Sequence, residues 1–228
     1  MIKGIFITAT GTDVGKTYIT TQITKKLREN NINAGYYKAA LSGARVENNK
    51  VIECDCLDVL DASSIKGECE EFVSYIFETP VSPHLASRLE NKSIKLNKIK
   101  DDFNRLKEKY EYITVEGSGG IVCPISLEDE TIMLTDIVKL LDLDIIVVAP
   151  SDLGTINSTV LTVEYARNQG INVKGIIMNY YDSDNFVHVD NKKALEFITG
   201  VSVIGLVEKD GNLSMTLEDI CSNYKELN

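Results

Sequence analysis

Near the start of the chain runs the sequence Thr8-Ala9-Thr10-Gly11-Thr12-Asp13-Val14-Gly15-Lys16-Thr17, directly after the apolar segment Ile5-Phe6-Ile7. The residues that follow repeat an apolar side chain at helical spacing, at Ile19, Ile23 and Leu27. A loop between a strand and a helix lets its backbone N–H groups converge on an anion, and the helix adds the positive end of its dipole. The stretch therefore predicts a phosphate-binding loop that takes a nucleoside triphosphate.

The loop ends in Gly15-Lys16-Thr17, the Gly-Lys-Ser/Thr ending of phosphate-binding loops. In such loops the lysine reaches the terminal phosphates and the hydroxyl binds Mg²⁺, so we expect these roles for Lys16 and Thr17. The usual pattern places another glycine five residues before Gly15, where this chain has Thr10. The match is incomplete at that position, and a turn that contains Gly and Lys by chance is the alternative.

The length, charge and hydropathy of the chain restrict the class of protein. Its 228 residues suffice for one large domain, 1–228, and 43% of them are hydrophobic, as in ordinary soluble proteins. A net charge of -10 argues against a broad nucleic-acid surface, which needs clustered Lys and Arg. No apolar stretch approaches the ~20 residues of a membrane span, and the first residues lack the features of a signal peptide. We therefore expect a cytoplasmic protein that binds neither nucleic acid nor membrane.

Apolar runs typical of strands alternate with segments typical of helices. The predicted strands are Gly4–Thr8, Ala34–Lys38, Phe72–Phe77, Tyr112–Glu116, Ile145–Ala149, Val173–Met178 and Val203–Val207. The predicted helices are Lys16–Asn30, Val51–Asp61, Ser82–Asn91, Leu96–Tyr110, Thr131–Leu141, Ile156–Gln169 and Asn191–Thr199. Polar loops are expected at Ser42–Asn49 and Asp182–Asp190, and the tail after Ile220 is expected to fray. This alternation predicts an α/β fold of the P-loop NTPase type, with a mostly parallel central sheet and helices on both faces. Ligands of such sheets bind beyond the carboxyl ends of the strands.

Charged residues stand at the predicted ends of strands and starts of helices. Lys38 ends the second strand, and a second cation near Lys16 suits phosphoryl transfer, although a solvated lysine is the alternative. Asp55 begins a helix and could simply cap it, whereas Glu116 ends a strand before the turn Gly117-Ser118-Gly119-Gly120. Carboxylates in such positions, with the Thr17 hydroxyl and Asp13, could hold Mg²⁺ between phosphates.

Three further patterns in the sequence concern possible ligand sites. The run Asp152-Leu153-Gly154-Thr155-Ile156-Asn157 precedes a helix and offers an anion site suited to an acidic small molecule. Asn179 ends a strand, and its amide could pair with an adenine edge. The pair Cys54 and Cys56 raises the question of a zinc site, but the spacing and the lack of a second ligand pair argue against it. We expect the five cysteines to be reduced.

Taken together, these motifs make the chain similar to the dethiobiotin synthase family over nearly its whole length. The segments that carry the resemblance are Thr10–Thr17, Gly35-Tyr36-Tyr37-Lys38, Ser42-Gly43, Asp55, Pro80 with Ser82-Pro83-His84, Val115–Gly120, Leu153–Asn157 and Asn179. The resemblance implies a homodimeric ligase that converts 7,8-diaminopelargonate, CO2 and MgATP into dethiobiotin, ADP and phosphate. The implied route is a carbamate, then a carbamic–phosphoric anhydride, then closure of the ureido ring.

The resemblance also assigns roles to residues of this chain. The residues implied for the nucleotide are Thr12, Asp13, Val14, Gly15, Lys16, Thr17 and Asn179. The residues implied for the metal are Thr17, Asp55 and Glu116. The residues implied for the substrate are Ser42, Gly154, Thr155 and Asn157. The catalytic cations are Lys16 and Lys38. The segment around Gly154 is expected to take the substrate carboxylate across the dimer interface.

A nucleotide switch of the partitioning and septum-placing ATPase type is the main alternative, because it has the same fold and a related loop. Such switches carry a further lysine at the start of the loop, where this chain has Gly11. The segment Leu217–Leu227 is also too short and too acidic for the membrane-binding helix of that class. The residues therefore favour the ligase.

Overall fold

This computed structural model describes residues 1–128, 130–208 and 211–227, and within them seven parallel strands and one short antiparallel strand form the main sheet. The strands of the chain are β1 (Lys3–Ala9), β2 (Ala34–Ser42), β3 (Arg45–Glu47), β4 (Lys50–Glu53), β5 (Val73–Phe77), β6 (Tyr112–Glu116), β7 (Pro124–Leu127), β8 (Thr131–Met133), β9 (Ile145–Pro150), β10 (Val173–Tyr181), β11 (Val203–Glu208) and β12 (Lys225–Glu226). The main sheet has the order β11-β10-β9-β1-β6-β2-β5, and β12 pairs with the first residues of β1. The mostly parallel α/β sheet expected from the sequence is confirmed.

Helices cover both faces of this sheet. They are α1 (Lys16–Glu29), α2 (Asp55–Ala62), α3 (Cys69–Phe72), α4 (Pro83–Leu89), α5 (Leu96–Lys107), α6 (Leu134–Leu140), α7 (Thr155–Asn168), α8 (Phe186–Thr199) and α9 (Leu217–Asn223). Side chains alternate along β1, so Ile5 and Ile7 join one buried cluster with Ile19 of α1, whereas Phe6 joins the other with Phe103 of α5. The loops after β1, β2 and β6 lie together at the carboxyl edge of the sheet, where α/β proteins bind ligands.

Two predictions for the segment after β2 are wrong. The expected loop Ser42–Asn49 and the first turn of the expected helix Val51–Asp61 form the hairpin of β3 and β4. Asn48 and Asn49 connect the strands with φ of 51° and 60°, the left-handed conformation that a tight type I′ turn needs at both central positions. The helix begins only at Asp55, after the hairpin ends.

Three other boundaries differ from the prediction. Thr131–Met133 pairs with β7 as a strand, and α6 starts after it, where the Met133 N–H donates to Asp136 Oδ2 over 2.9 Å. The expected loop Asp182–Asp190 ends early because Asn185 caps α8 by accepting the Val187 N–H over 3.0 Å. The tail does not fray in the described residues, since β12 pairs with β1 and the buried Tyr224 hydroxyl contacts Thr114 Oγ1 at 2.6 Å.

None of the helices in the described residues combines the length and the hydropathy needed to cross a membrane. The assignment of 1–228 to a single domain stays a prediction.

Candidate active site

The phosphate-binding loop connects β1 to α1 as the sequence predicts, and one glycine in it has no substitute. Gly15 has φ of 92°, which L side chains rarely adopt, and a Cβ there would lie 2.1 Å from Asn179 Nδ2. Lys16, the first residue of α1, is buried, and its Nζ donates to the Gly11 carbonyl over 3.2 Å. Burial lowers the pKa of Lys16, although Glu116 acts in the opposite direction. The loop therefore holds its lysine inside the cleft rather than in solvent.

Lys38 and Glu116 face each other because their strands pair in that register. They are Cα partners across the parallel strands β2 and β6, so both side chains leave the same face of the sheet. Lys38 Nζ donates to Glu116 Oε1 over 2.8 Å and to Asp55 Oδ2 over 2.6 Å. Burial alone would lower the pKa of Lys38, but the two carboxylates outweigh it and the pKa is raised. Lys38 therefore acts as a fixed cation and not as a proton acceptor.

Two hydroxyl groups complete the environment of Glu116. Thr17 Oγ1 donates to Glu116 Oε1 over 2.9 Å, and the Tyr36 hydroxyl donates to Oε2 over 3.2 Å. Burial and the neighbouring Glu116 raise the pKa of Tyr36, so its proton stays in place as a donor. The sequence analysis gave no role to Tyr36. A signal was available, because Tyr36 and Lys38 are two residues apart on one strand and so point to the same side.

Lys16, Thr17, Lys38, Asp55 and Glu116 line one cavity of about 1040 Å³ at the carboxyl edge of the sheet. The predicted site residues in its lining are Thr12, Asp13, Gly15, Lys16, Thr17, Lys38, Ser42, Asp55 and Glu116. The hydroxyl of Ser42 is buried and has no hydrogen-bond partner among the described residues, which leaves it available to a ligand. Cys123 also lines the cavity, and burial raises the pKa of its thiol to about 11, so it is protonated at neutral pH. The cavity thus brings together the predicted phosphate, metal and catalytic residues.

Asn179 and Val14 lie beside this cavity and brace the loop. Asn179 Nδ2 donates to the Val14 carbonyl over 3.0 Å, and its Oδ1 accepts the Tyr180 N–H over 3.0 Å. Each atom of the amide therefore keeps one further hydrogen-bonding position, because Nδ2 carries two protons and Oδ1 two lone pairs. Asn179 links β10 to the phosphate-binding loop.

Gly154, Thr155 and Asn157 lie outside the lining of this cavity, at the start of α7. The Thr155 hydroxyl donates to the Pro150 carbonyl over 2.6 Å, so its proton is already used within the chain. Asn157 is exposed, and the first turn of a helix leaves N–H groups without intrahelical partners. Those N–H groups and the Asn157 amide are the donors that an anion would meet here.

Side chains from α8 hold the loop that leads into α7. Asn191 Nδ2 donates to the Ser151 carbonyl over 2.9 Å. The buried His188 accepts the Asp182 N–H at Nδ1 over 3.0 Å, which leaves Nε2 as the ring donor toward Asp152 Oδ1 at 3.1 Å. His188 was missed because it was expected in the loop Asp182–Asp190, whereas Asn191 was expected to start the helix Asn191–Thr199 but was given no role.

The oxygen donors of the cavity fit Mg²⁺. Thr17, Asp55 and Glu116 supply a hydroxyl and two carboxylates, the hard donors that this ion prefers. Across the described ranges, no group of three or more His, Cys, Asp or Glu side chains is arranged as a metal site. Mg²⁺ usually takes one or two protein carboxylates and completes its shell with water and phosphate oxygens.

Comparison with known proteins identifies the family. A family model described as an AAA domain matches residues 3–216. Two proteins of Clostridium botulinum named ATP-dependent dethiobiotin synthetase, from strains Alaska E43 and 657, are each 52% identical to this chain. The alignments span 224 and 227 residues, with 98% and 100% of this chain and 99% and 100% of the relatives. The chain belongs to the dethiobiotin synthetase family. Both relatives are named as ATP-dependent synthetases, which confirms the ligase class expected from the sequence.

The fold of this dethiobiotin synthetase family member also occurs in solved structures of other proteins. The MinC:MinD cell division complex of Aquifex aeolicus superimposes with a TM-score of 0.56 at 18% identity, covering 90% of this chain and 81% of that chain. At that identity the likeness shows a common P-loop fold and nothing about activity. The family assignment therefore rests on the close relatives.

Proposed function

We propose that the protein closes the ureido ring of dethiobiotin from 7,8-diaminopelargonate and CO2, using ATP and releasing ADP and phosphate. The observation that carries this proposal is the convergence of Lys16, Lys38 and the carboxylates of Asp55 and Glu116 on one cavity beside the phosphate-binding loop. Two buried cations beside a triphosphate site suit transfer of the γ-phosphoryl group, in which charge spreads over the phosphoryl oxygens. The names of the 52%-identical relatives supply the substrate class.

The reaction has three balanced steps. One amine of the diamine attacks CO2, forming a C–N bond and losing a proton, to give a carbamate. A carbamate oxygen then attacks the γ-phosphorus, and the bond to ADP breaks, which yields a carbamic–phosphoric anhydride. The second amine attacks the carbonyl carbon and loses a proton, and phosphate departs as the ring closes.

Placement and charge are the main contributions of the chain. Holding the carbamate oxygen near the γ-phosphorus can lower the barrier by about 7–11 kcal/mol relative to free reactants. Lys16 and Lys38 stabilise the transferring phosphoryl group, and Lys38 stays charged because its pKa is raised. The unpartnered Ser42 hydroxyl faces the reacting end of the substrate.

Mg²⁺ belongs to the same proposal. Thr17, Asp55 and Glu116 would hold it beside the phosphates. When bound, it would neutralise charge on the phosphate oxygens.

The remaining assignments concern the nucleotide and the dimer. Residues Thr12 to Thr17 surround the phosphates, and the free positions of the Asn179 amide suit an adenine edge. Gly154, Thr155 and Asn157 take the substrate carboxylate of a partner subunit, a role supported by their place outside the chain's own cavity. We infer a cytoplasmic homodimer, and sedimentation at micromolar concentration tests it, since a monomer there contradicts a shared site.

Phosphate release tests the activity. Release from ATP is followed with and without 7,8-diaminopelargonate and bicarbonate, and both compounds are expected to be required. If phosphate is released at the same rate without either compound, the nucleotide-switch alternative is supported instead.

Substitution of Lys38 tests the mechanism. We expect Lys38→Ala and Lys38→Met to lower kcat at least about 100-fold, the usual cost of losing one group that stabilises transition-state charge. Binding of ATP through the intact loop serves as the test of folding in both variants. Lys25→Ala is the control, because Lys25 is a half-exposed lysine of α1 that pairs with Glu29 on the same helix. Activity retained in both Lys38 variants removes this lysine from the mechanism.

A further inference from the structure

Three cysteines from two segments meet beside the candidate active site. Cys54 Sγ lies 3.3 Å from Cys69 Sγ, across a chain separation of 15 residues. Cys56 belongs to the same buried cluster of side chains as Cys54 and Cys69. All three are free thiols, and all three are buried. The sequence shows the Cys54 and Cys56 pair but gives no sign that Cys69 joins it.

The cluster is joined directly to a residue of the cavity. Cys54 precedes α2, and its neighbour Asp55 is the first residue of that helix and the partner of Lys38 at 2.6 Å. Cys69 is the first residue of α3. A bond between Cys54 and Cys69 would therefore tie the start of α2, and with it Asp55, to a different helix.

We propose that Cys54 and Cys69 are a redox modification site, which a hydroperoxide converts into a disulfide that displaces Asp55 and inactivates the enzyme. A sulfur–sulfur bond is about 2.0 Å long, so the two sulfur atoms must approach by about 1.3 Å. That movement starts one peptide bond from Asp55. The inactivation half of the inference rests on the proposed function, whereas formation of the disulfide does not.

The chemistry balances with a hydroperoxide as the oxidant. Cys54 is the entry point, because 8% of it is exposed, against 2% of Cys69 and none of Cys56. Its sulfur attacks the peroxide, the O–O bond breaks, and a sulfenic acid and water or an alcohol form. Cys69 then attacks the sulfenic sulfur, the S–O bond breaks, water leaves, and two electrons have passed from the thiols to the peroxide. A dithiol reverses the step by thiol–disulfide exchange.

Thiol counting and peptide mapping test the modification itself. The full-length protein is reduced, freed of reductant and treated with hydrogen peroxide. Thiols titrated after denaturation should fall by two from the five of the reduced chain, with the bond mapped to Cys54 and Cys69 and removed by dithiothreitol. Cys69→Ser and Cys69→Ala should form no such bond and lose at most the Cys54 thiol, as a sulfenic acid, whereas Cys221→Ser, a control outside the cluster, should lose two. A bond mapped to another pair, or no loss of thiols, overturns the proposal.

Turnover of the same samples tests the inactivation. Oxidation should lower kcat at least about tenfold, since a 1 Å displacement near reacting groups can cost about 100-fold. Dithiothreitol should restore it, and both Cys69 variants should resist the peroxide. If the mapped disulfide leaves kcat unchanged, the inactivation is refuted and the modification stands. If the reduced enzyme makes no dethiobiotin, the proposed function fails instead, and the mapping result is unaffected.

Discussion

The buried hydroxyl group of Tyr36 has two effects that one substitution can distinguish, because it stabilises the fold and it orients Glu116. In Tyr36→Phe the ring stays in place and only the donor to Glu116 Oε2, at 3.2 Å, is lost. Glu116 is 1% exposed, so water does not replace that donor. A hydrogen bond to a charged group contributes about 1.5–3 kcal/mol, and we expect the free energy of unfolding to fall by about that amount. For a chain of this length, 1 kcal/mol shifts Tm by about 2–4 °C, so Tm should fall by about 3–12 °C.

The kinetic effect should exceed what lost stability explains. Thr17 and Lys38 still bind Oε1, so the carboxylate remains in the cavity but loses its orientation. Loss of a group that orients a metal ligand typically costs about 10–100-fold in metal affinity or activity. We expect Tyr36→Phe to shift the Mg²⁺ concentration for half-maximal dethiobiotin formation, or kcat, by that factor.

The neighbouring tyrosine provides the matched control. Tyr37 is equally buried, but its hydroxyl contacts Ser74 Oγ at 2.6 Å and the Ile99 carbonyl at 3.0 Å, away from the cavity. Tyr37→Phe should lower Tm by a similar amount and leave the kinetic constants within about twofold. The reasoning is refuted if Tyr36→Phe matches Tyr37→Phe in Mg²⁺ dependence and kcat.

Two further outcomes follow from the phosphate-binding loop. Gly15→Ala should weaken ATP binding, because alanine is strained at φ of 92° and its Cβ, 2.1 Å from Asn179 Nδ2, would displace the amide that braces the loop. Gly200→Ala, with φ of 63° and open space around it, should cost only about 1–2 kcal/mol of backbone strain. Equilibrium ATP binding and thermal melting of both variants check this. Burial lowers the pKa of Lys16 below its usual 10.5, so the ammonium is lost as pH rises through that lower value. Hence kcat/KM for ATP should fall on the alkaline side below pH 10.5. Lys38 causes no such decrease, because its pKa is raised. If kcat/KM for ATP stays constant up to pH 10.5, burial does not lower the pKa of Lys16 as inferred.

The seven parallel strands of the main sheet could be predicted because each contains an apolar run between helical segments. The hairpin after β2 was missed although Asn48 and Asn49 carried its signal, because a pair of asparagines was interpreted as an irregular loop. The strand Thr131–Met133 was missed for a different reason. It adjoins α6 without a break, and its three residues are too few to show a period of two.

The members of the site were predictable singly, but their contacts were not. Lys38 and Glu116 each end a strand, and that placement follows from the sequence. That they are register partners follows only from the strand order, which puts β6 between β1 and β2 although it comes much later in the chain. Cys69 shows the limit more sharply, because it approaches Cys54 through the packing of α2 and α3, and no local pattern records that contact.

The charges of the cavity explain why the proposed reaction needs a cation together with the nucleotide. Lys38 is shared by two carboxylates, so it brings no surplus positive charge to a polyphosphate. The two carboxylates are not equivalent, since the Asp55 side chain is 47% exposed and that of Glu116 is 1% exposed. Glu116 is held by Thr17, Tyr36 and Lys38, whereas Asp55 has solvent beside it and can turn away from the lysine at small cost. In the proposed reaction, Asp55 is therefore the carboxylate that would exchange Lys38 for a metal ion, and that exchange would free the ammonium for the phosphoryl group. Because Asp55 is held less tightly than Glu116, it is also the carboxylate that a change at the neighbouring Cys54 would displace more easily.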